Sequence, residues 1–319
     1  MKSLGLLLLV LGTVSCSEES TTPPADASHD GVVVDTGADS DGTVDADACG
    51  SRTEAKIAQF NDPSSAKKAN PGDALRLRGV IVTTPLVLLQ RDSILGKCTY
   101  GVFVADANAT FLPYSGLVLV DIVPATVNDG GAVNLCTLKE PTVLSSLAVG
   151  DLYDVAGTYD VVLPPNCIGD GAPSPPATPR LSNLCGVTKV GQATPIAPAD
   201  VNSFDLLDSS SNLPKWMNGV VRVKNVSAKT ALDTFGNFPL TGSGLVVTDR
   251  FYFKTWGRPS VGAFQHFDEI VGESSFYNCA WSLEPRTICE LKPVPRDAGA
   301  TPACPDPGNR VPCSVRRIS

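Results

Sequence analysis

After its first fifteen residues, the chain's apolar stretches are short, rich in valine and bounded by Gly, Pro, Asn or Asp. A run such as "GVIVTT", "YGVFVAD" or "GVVRVKNV" is too short for a core helix and alternates as a pleated strand does. The spacing therefore predicts an all-β fold. Helical periodicity is scarce: "SRTEAKIAQFND", residues 51–62, places Ile57 and Phe60 three apart and predicts one brief helix. About 270 residues follow the amino-terminal region, enough for one or two domains.

Two passages repeat in order. The first comprises residues 74–84, 100–106, 116–123 and 147–163, and the second residues 215–228, 244–253 and 267–286. Each has an opening strand with Gly in or before it, a middle strand or hairpin, and a closing pair of the form apolar-Gly-polar-aromatic. This order resembles the OB-fold, a small five-stranded Greek-key barrel. "GDLYDVAGTYDV" and "DEIVGESSFYNCAWSLEPR" look like the fourth and fifth strands of secreted OB-fold modules. The resemblance implies two tandem OB-fold-like barrels, residues 51–190 and 195–300, with residues 301–319 as a cysteine-bearing tail. It places the Pro-rich insert from Leu163, "LPPNCIGDGAPSPPATPRLSN", in the linker between them. Val80, Val82, Val102, Val104, Val221, Val223, Val246 and Phe251 are the expected core positions.

Residues 1–15 read as a targeting segment: Lys2 supplies a charged start, residues 4–11 are apolar except Gly5, and residues 12–15 are small or short. The apolar run is far below the roughly 20 residues of a membrane-spanning helix. "TVSC", residues 13–16, resembles the lipobox of bacterial lipoproteins, departing from it at Thr13, where the family usually has Leu. The resemblance implies that Cys16 becomes the acylated first residue and anchors the protein to a membrane. Ser17, in place of an Asp retention signal, implies the outer membrane. The alternative is a secreted chain cut nearby, with Cys16 an ordinary thiol.

Residues 17–49 hold nine acidic side chains and no Lys or Arg. So little apolar surface cannot offset ordering entropy, and like charges repel, so residues 16–50 are expected to form a disordered, extended tether. The "DSDG" run within it resembles part of a calcium loop, but aligning Gly42 puts Gly37 and Ala48 where oxygen ligands belong, so it reads as a solvated linker. Residues 50–319 carry 24 acidic and 24 basic side chains. That balance, with export, counts against nucleic acid as a partner.

Nine cysteines follow Cys16, and exported chains oxidise such sets. With no Cys-x-x-Cys pair and only His29 and His266 as imidazoles, no metal or cofactor is expected. Spacing suggests Cys279 with Cys289, Cys304 with Cys313, and Cys167 with Cys185 around the Pro-rich insert. Cys98 then falls to Cys136, and Cys49 is left unpaired.

No catalytic residue is expected. The chain lacks Gly-x-Ser-x-Gly, His-Glu-x-x-His, Gly-x-x-x-x-Gly-Lys and Gly-x-Gly-x-x-Gly. His266 neighbours Asp268 and Glu269, but the two carboxylates point to opposite faces of a strand. Thirteen of the twenty aromatic residues lie from Phe204 onward, most densely in "DRFYFKTWGRP". If that is a strand, Tyr252 and Lys254 share a face, with Trp256 and Arg258 in the following loop. Together they offer stacking surface and donors for a sugar or peptide, against the plainer reading of packing between domains. The sequence thus suggests a non-catalytic outer-membrane lipoprotein whose β-barrel modules bind a glycan, peptide or protein partner or serve a structural role at the cell envelope. A periplasmic or surface enzyme of unrecognised type is the alternative.

Overall fold

The computed structural model describes residues 49–92, 95–125, 136, 142–162, 177–251, 260–277 and 280–293. The alternating valines form strands throughout, and the protein is all-β. The first sheet contains β1 (Thr53–Glu54), β2 (Ala74–Val82), β3 (Val87–Asp92), β4 (Lys97–Asp106), β5 (Gly116–Pro124), β6 (Asp151–Val162) and β7 (Thr178–Gln192). Five of these close into a ring in the order β2-β4-β5-β7-β6, with β2 pairing both β4 and β6. The β5–β7 pairing is parallel and the other ring pairings are antiparallel.

Closing a ring requires sharp bends, and the sequence provides one at Gly79. Its φ of 58° is one that glycine adopts without penalty. It lies in an irregularity between Leu77 and Val80, where its N–H donates to Asp154 Oδ1 at 2.8 Å. On the inner face, Leu75, Leu77, Val102, Val104, Leu117, Leu119, Val155 and Leu181 make one core. Each such side chain contributes about 1.5–3 kcal/mol by leaving water. The expected helix is α1 (Ile57–Asn61), and both Ile57 and Phe60 are buried in that core. Asp106, itself buried, fixes the helix start by accepting from the N–H groups of Ile57 (2.9 Å) and Ala58 (3.0 Å).

The second sheet holds β8 (Ala199–Asp200), β9 (Gly219–Ser227), β10 (Asn237–Pro239), β11 (Val246–Thr248), β12 (His266–Tyr277), β13 (Ala280–Glu284) and β14 (Leu291–Pro293), with a short helix α2 (Leu213–Trp216) before β9. Its path β10-β11-β13-β12-β9 repeats the order of the ring, and again the third and fifth strands in chain order, β11 and β13 counted from β9, pair in parallel. Between β9 and β10 the circuit is completed by one antiparallel bridge, Ala228 to Leu240. Phe238 and Phe267 stack in its core, with ring centroids 5.7 Å apart.

Four expectations need correction. Residues 147–163 are not a closing pair: they supply one strand of twelve residues, β6. Its partner β7 begins inside the Pro-rich insert, which therefore joins two adjacent strands of the ring and is not the linker. Pro179 sits next to the start of β7, and register is marked by Arg180 opposite Asp160, Nη2 to Oδ2 2.8 Å. Strand β11 stops at Thr248, and Asp249 to Phe251 turn away from it. Within that strand Val247 and Thr248 are buried and Val246 is only half-buried; the other seven expected core positions are buried.

Cysteine pairing is the last correction. Cys98 bonds Cys136, the pairing reached by elimination, with Cα atoms 5.5 Å apart. Cys185, however, bonds Cys49 (Cα–Cα 5.6 Å), so Cys49 is not free and Cys185 does not close the insert with Cys167. The cause lies in the fold. β1 pairs β2 in parallel, and Arg52 Nη1 donates to Gly157 O at 2.9 Å, so the amino-terminal segment crosses towards β6 and the neighbouring β7. Cys289 is also disulfide-bonded. Cys16, Cys167, Cys279, Cys304 and Cys313 lie outside the described residues, as do residues 1–48 with the signal and most of the tether.

Candidate functional site

Tyr252, Lys254, Trp256 and Arg258 fall outside the described residues. Phe251, which precedes them, is buried against Phe103 of the first ring, edge to face at 5.9 Å, so this end of the aromatic segment packs between the two sheets. His266 opens β12 opposite Ser227, whose Oγ lies 3.0 Å from its Nδ1. Asp268 is exposed, and Glu269 is engaged by Arg222 Nε at 3.1 Å and Lys292 Nζ at 2.5 Å. His266 and these carboxylates thus form no triad-like relay.

A different place is concave. A groove of about 610 Å³ runs along the outer face of β9, bounded by β8, the segment after it, and Thr241. Its floor follows from strand alternation. Val221 and Val223 face the core, so Arg222 and Lys224 face out. Asn225 has φ 53°, a conformation Asn tolerates better than most residues. That breaks the alternation, so Lys224 and Asn225 are exposed in succession. The carboxylate of Asp200, on β8, bridges the two cations, at 3.2 Å from Arg222 Nη1 and 2.6 Å from Lys224 Nζ. Hydrogen bonding from Lys224 holds this carboxyl below its usual pKa, against partial desolvation, with the charges of Lys224 and Arg222 adding to the effect.

Phe204 forms the lip of the groove. Asn202 Oδ1 accepts from its N–H at 3.0 Å and starts a single 3-10 turn, Ser203–Leu206. Leu206 is buried, while the Phe204 side chain is 54% exposed. The ring stands beside the turn at Gly242, where an added Cβ would lie 3.8 Å from its Cζ. Thr241 is set opposite by its N–H donating to Ser227 O at 2.8 Å. The sequence carried partial signals for this site. The "VVRVKN" alternation predicts an outward Arg222 and Lys224, and "NSF" is a capping pattern before an aromatic residue. Nothing local says that β8 and Thr241 flank them.

A second polar cluster lies where the two sheets meet. Glu273 and Glu284 are each 0% exposed. Glu284 accepts from the hydroxyls of Ser275 and Ser282, and Arg250 Nη1 lies 3.5 Å from it. Neither oxygen of Glu273 has a hydrogen-bond partner. Burial pushes its carboxyl up to about 8, the charge of Arg286 opposes this, and Glu284 and Glu290 add to it. Arg286 pairs with Glu290 and reaches the first sheet at Thr83 O, 3.4 Å away. Desolvation works against the Arg286 charge, but Glu290 prevails and keeps its pKa above the ordinary value.

Strongly shifted groups gather at functional sites and in structural ion networks alike. Here Glu273 and Glu284 are closed to solvent, and Arg286 ties the two sheets together, so the chemistry of this cluster is that of a junction. The groove is open and lined by donors, acceptors and one bare aromatic ring. Comparison of the chain with family models, with curated proteins and with solved structures gives no match.

Proposed function

We propose that this chain is a non-catalytic lipoprotein of the outer membrane, held by acyl chains on Cys16, whose two OB-fold-like modules form a binding unit at the cell envelope. Support for the modules is the strand order common to the two sheets, with its parallel third-to-fifth pairing. Support for the anchor is the lipobox-like "TVSC" ahead of an acidic segment. The observation that carries binding is the groove over β9: a volume of about 610 Å³ falls within the ~300–1,000 Å³ typical of ligand pockets. A soluble ligand outside the cytoplasm is the expected occupant.

What favours the alternative, an enzyme of unrecognised type, is the shifted carboxyl of Glu273. It is closed to solvent and therefore unable to meet a substrate without separation of the sheets.

Two measurements test the reading. Cys16→Ala should abolish metabolic labelling by palmitate and block maturation of the precursor; normal maturation to a soluble product overturns the anchor. The mature chain, screened against glycan and peptide arrays, should give signals that Phe204→Ala weakens. Signals indifferent to groove substitutions overturn the groove as the site.

A further inference from the structure

Resting on the groove as the binding site, we infer that its ligand is an uncharged carbohydrate, stacked on Phe204 and hydrogen-bonded across Asp200, Arg222, Lys224, Asn225 and Thr241. The argument begins with charge. Asp200 lies between Arg222 and Lys224 at 3.2 and 2.6 Å, and Arg222 is shared with Glu269 at 3.1 Å. A phosphate, sulfate or carboxylate ligand must overcome repulsion from the carboxylates already seated on both cations. A neutral polyol need not. Each of its hydroxyls both donates and accepts, so it can add to a carboxylate lone pair or an unused N–H while the ion pairs stay in place. Hydrogen bonds to charged groups are also the stronger kind.

Shape points the same way. Phe204 offers a flat apolar surface at the lip, its backbone set by the Asn202 cap and its ring beside the turn at Gly242. A pyranose has one face of C–H groups that can cover such a ring while its hydroxyl edge meets polar side chains. The groove lacks the apolar pockets that anchor peptides: its aliphatic lining is Val201 and Val226, both partly buried and packed on the core of the second sheet. Nor does it offer a strand edge for peptide addition, which needs a run of free backbone groups, because β8 is two residues long.

The test uses the mature chain on an array of neutral, uronic-acid-bearing and sulfated oligosaccharides, with a peptide array in parallel, followed by calorimetric titration of each hit. Binding of at least one neutral oligosaccharide is expected. Phe204→Ala should weaken it at least tenfold, and Phe204→Trp should retain it. Because Phe204 is exposed, its replacement should leave thermal unfolding unchanged, which separates lost binding from lost folding. Asp200→Asn frees Arg222 and Lys224 from one carboxylate and should create binding to sulfated sugars that the parent lacks. Binding confined to acidic sugars, or to peptides, with the same dependence on Phe204, overturns the carbohydrate class and leaves the groove standing. Absence of any hit, or hits unaffected by Phe204→Ala and Asp200→Asn, overturns both.

Discussion

Phe111 of the segment between β4 and β5 lies against the backbone of Gly219 at the start of β9: a Cβ added to Gly219 would stand 2.0 Å from the ring's Cζ. Nearby, a Cβ on Gly116 would meet Asn218 O at 2.1 Å. Tyr114 N–H donates to Lys215 O at 2.7 Å, and Asn218 Nδ2 to Pro179 O at 3.2 Å. The two sheets therefore meet backbone to backbone, with Ile81, Ala105, Phe111, Ile196 and Ala199 forming a core of their own.

Gly219→Ala should consequently destabilise the whole unit by about 1–3 kcal/mol, the cost of overpacking a filled contact. Thermal melts check the size of the loss. Adding Phe111→Leu, which makes room at the same place, should recover part of it; losses that simply add would show that the two residues do not share the contact.

Glu273 makes stability depend on pH. Its folded carboxyl titrates at about 8, above the ordinary value of 4.5, so between these limits the folded state holds a proton that the unfolded state has released. Stability should therefore fall as pH rises from about 4.5 to 8. The loss is on the order of a few kcal/mol, since one pKa unit corresponds to about 1.4 kcal/mol. Glu273→Gln keeps the shape and removes the titration. Urea unfolding at pH 5, 6.5 and 8 should show a flatter profile for the variant and a lead over the parent at pH 8. An unchanged slope would place the pH dependence elsewhere.

The Cys49–Cys185 bond spans 136 residues of sequence. In the chain-entropy model a loop of that length is worth about 5 kcal/mol, and the 38-residue separation of Cys98 and Cys136 about 4. Cys49→Ser and Cys185→Ser should lower the melting temperature equally, and the double variant no further. Peptide mapping should find the 49–185 link in the parent. A 167–185 link in its place contradicts the structure.

The sequence by itself settled what is local. Alternation along "ALRL" and "VRVK" determined which side chains enter a core, because the pleat turns successive residues to opposite faces until a bulge or a left-handed residue interrupts it. The spacing of Ile57 and Phe60 identified α1, and the cluster of short valine runs excluded a helical protein. What it left open depends on partners distant in the chain. β7 was hidden under prolines because its register comes from Asp160, Val155 and the other residues of β6, across a long connection. Cys185 found Cys49 because β1 runs beside β2 and brings the two together from 136 residues apart. The groove exists only because Asp200, Phe204, Arg222 and Thr241, each unremarkable in its own segment, are gathered by the pairing of β8 with β9 and the turn after β10. Face is written every second residue by the geometry of the backbone. Which strands lie side by side is decided by how the whole chain buries its apolar surface, and only the folded ring and sheet contain that information.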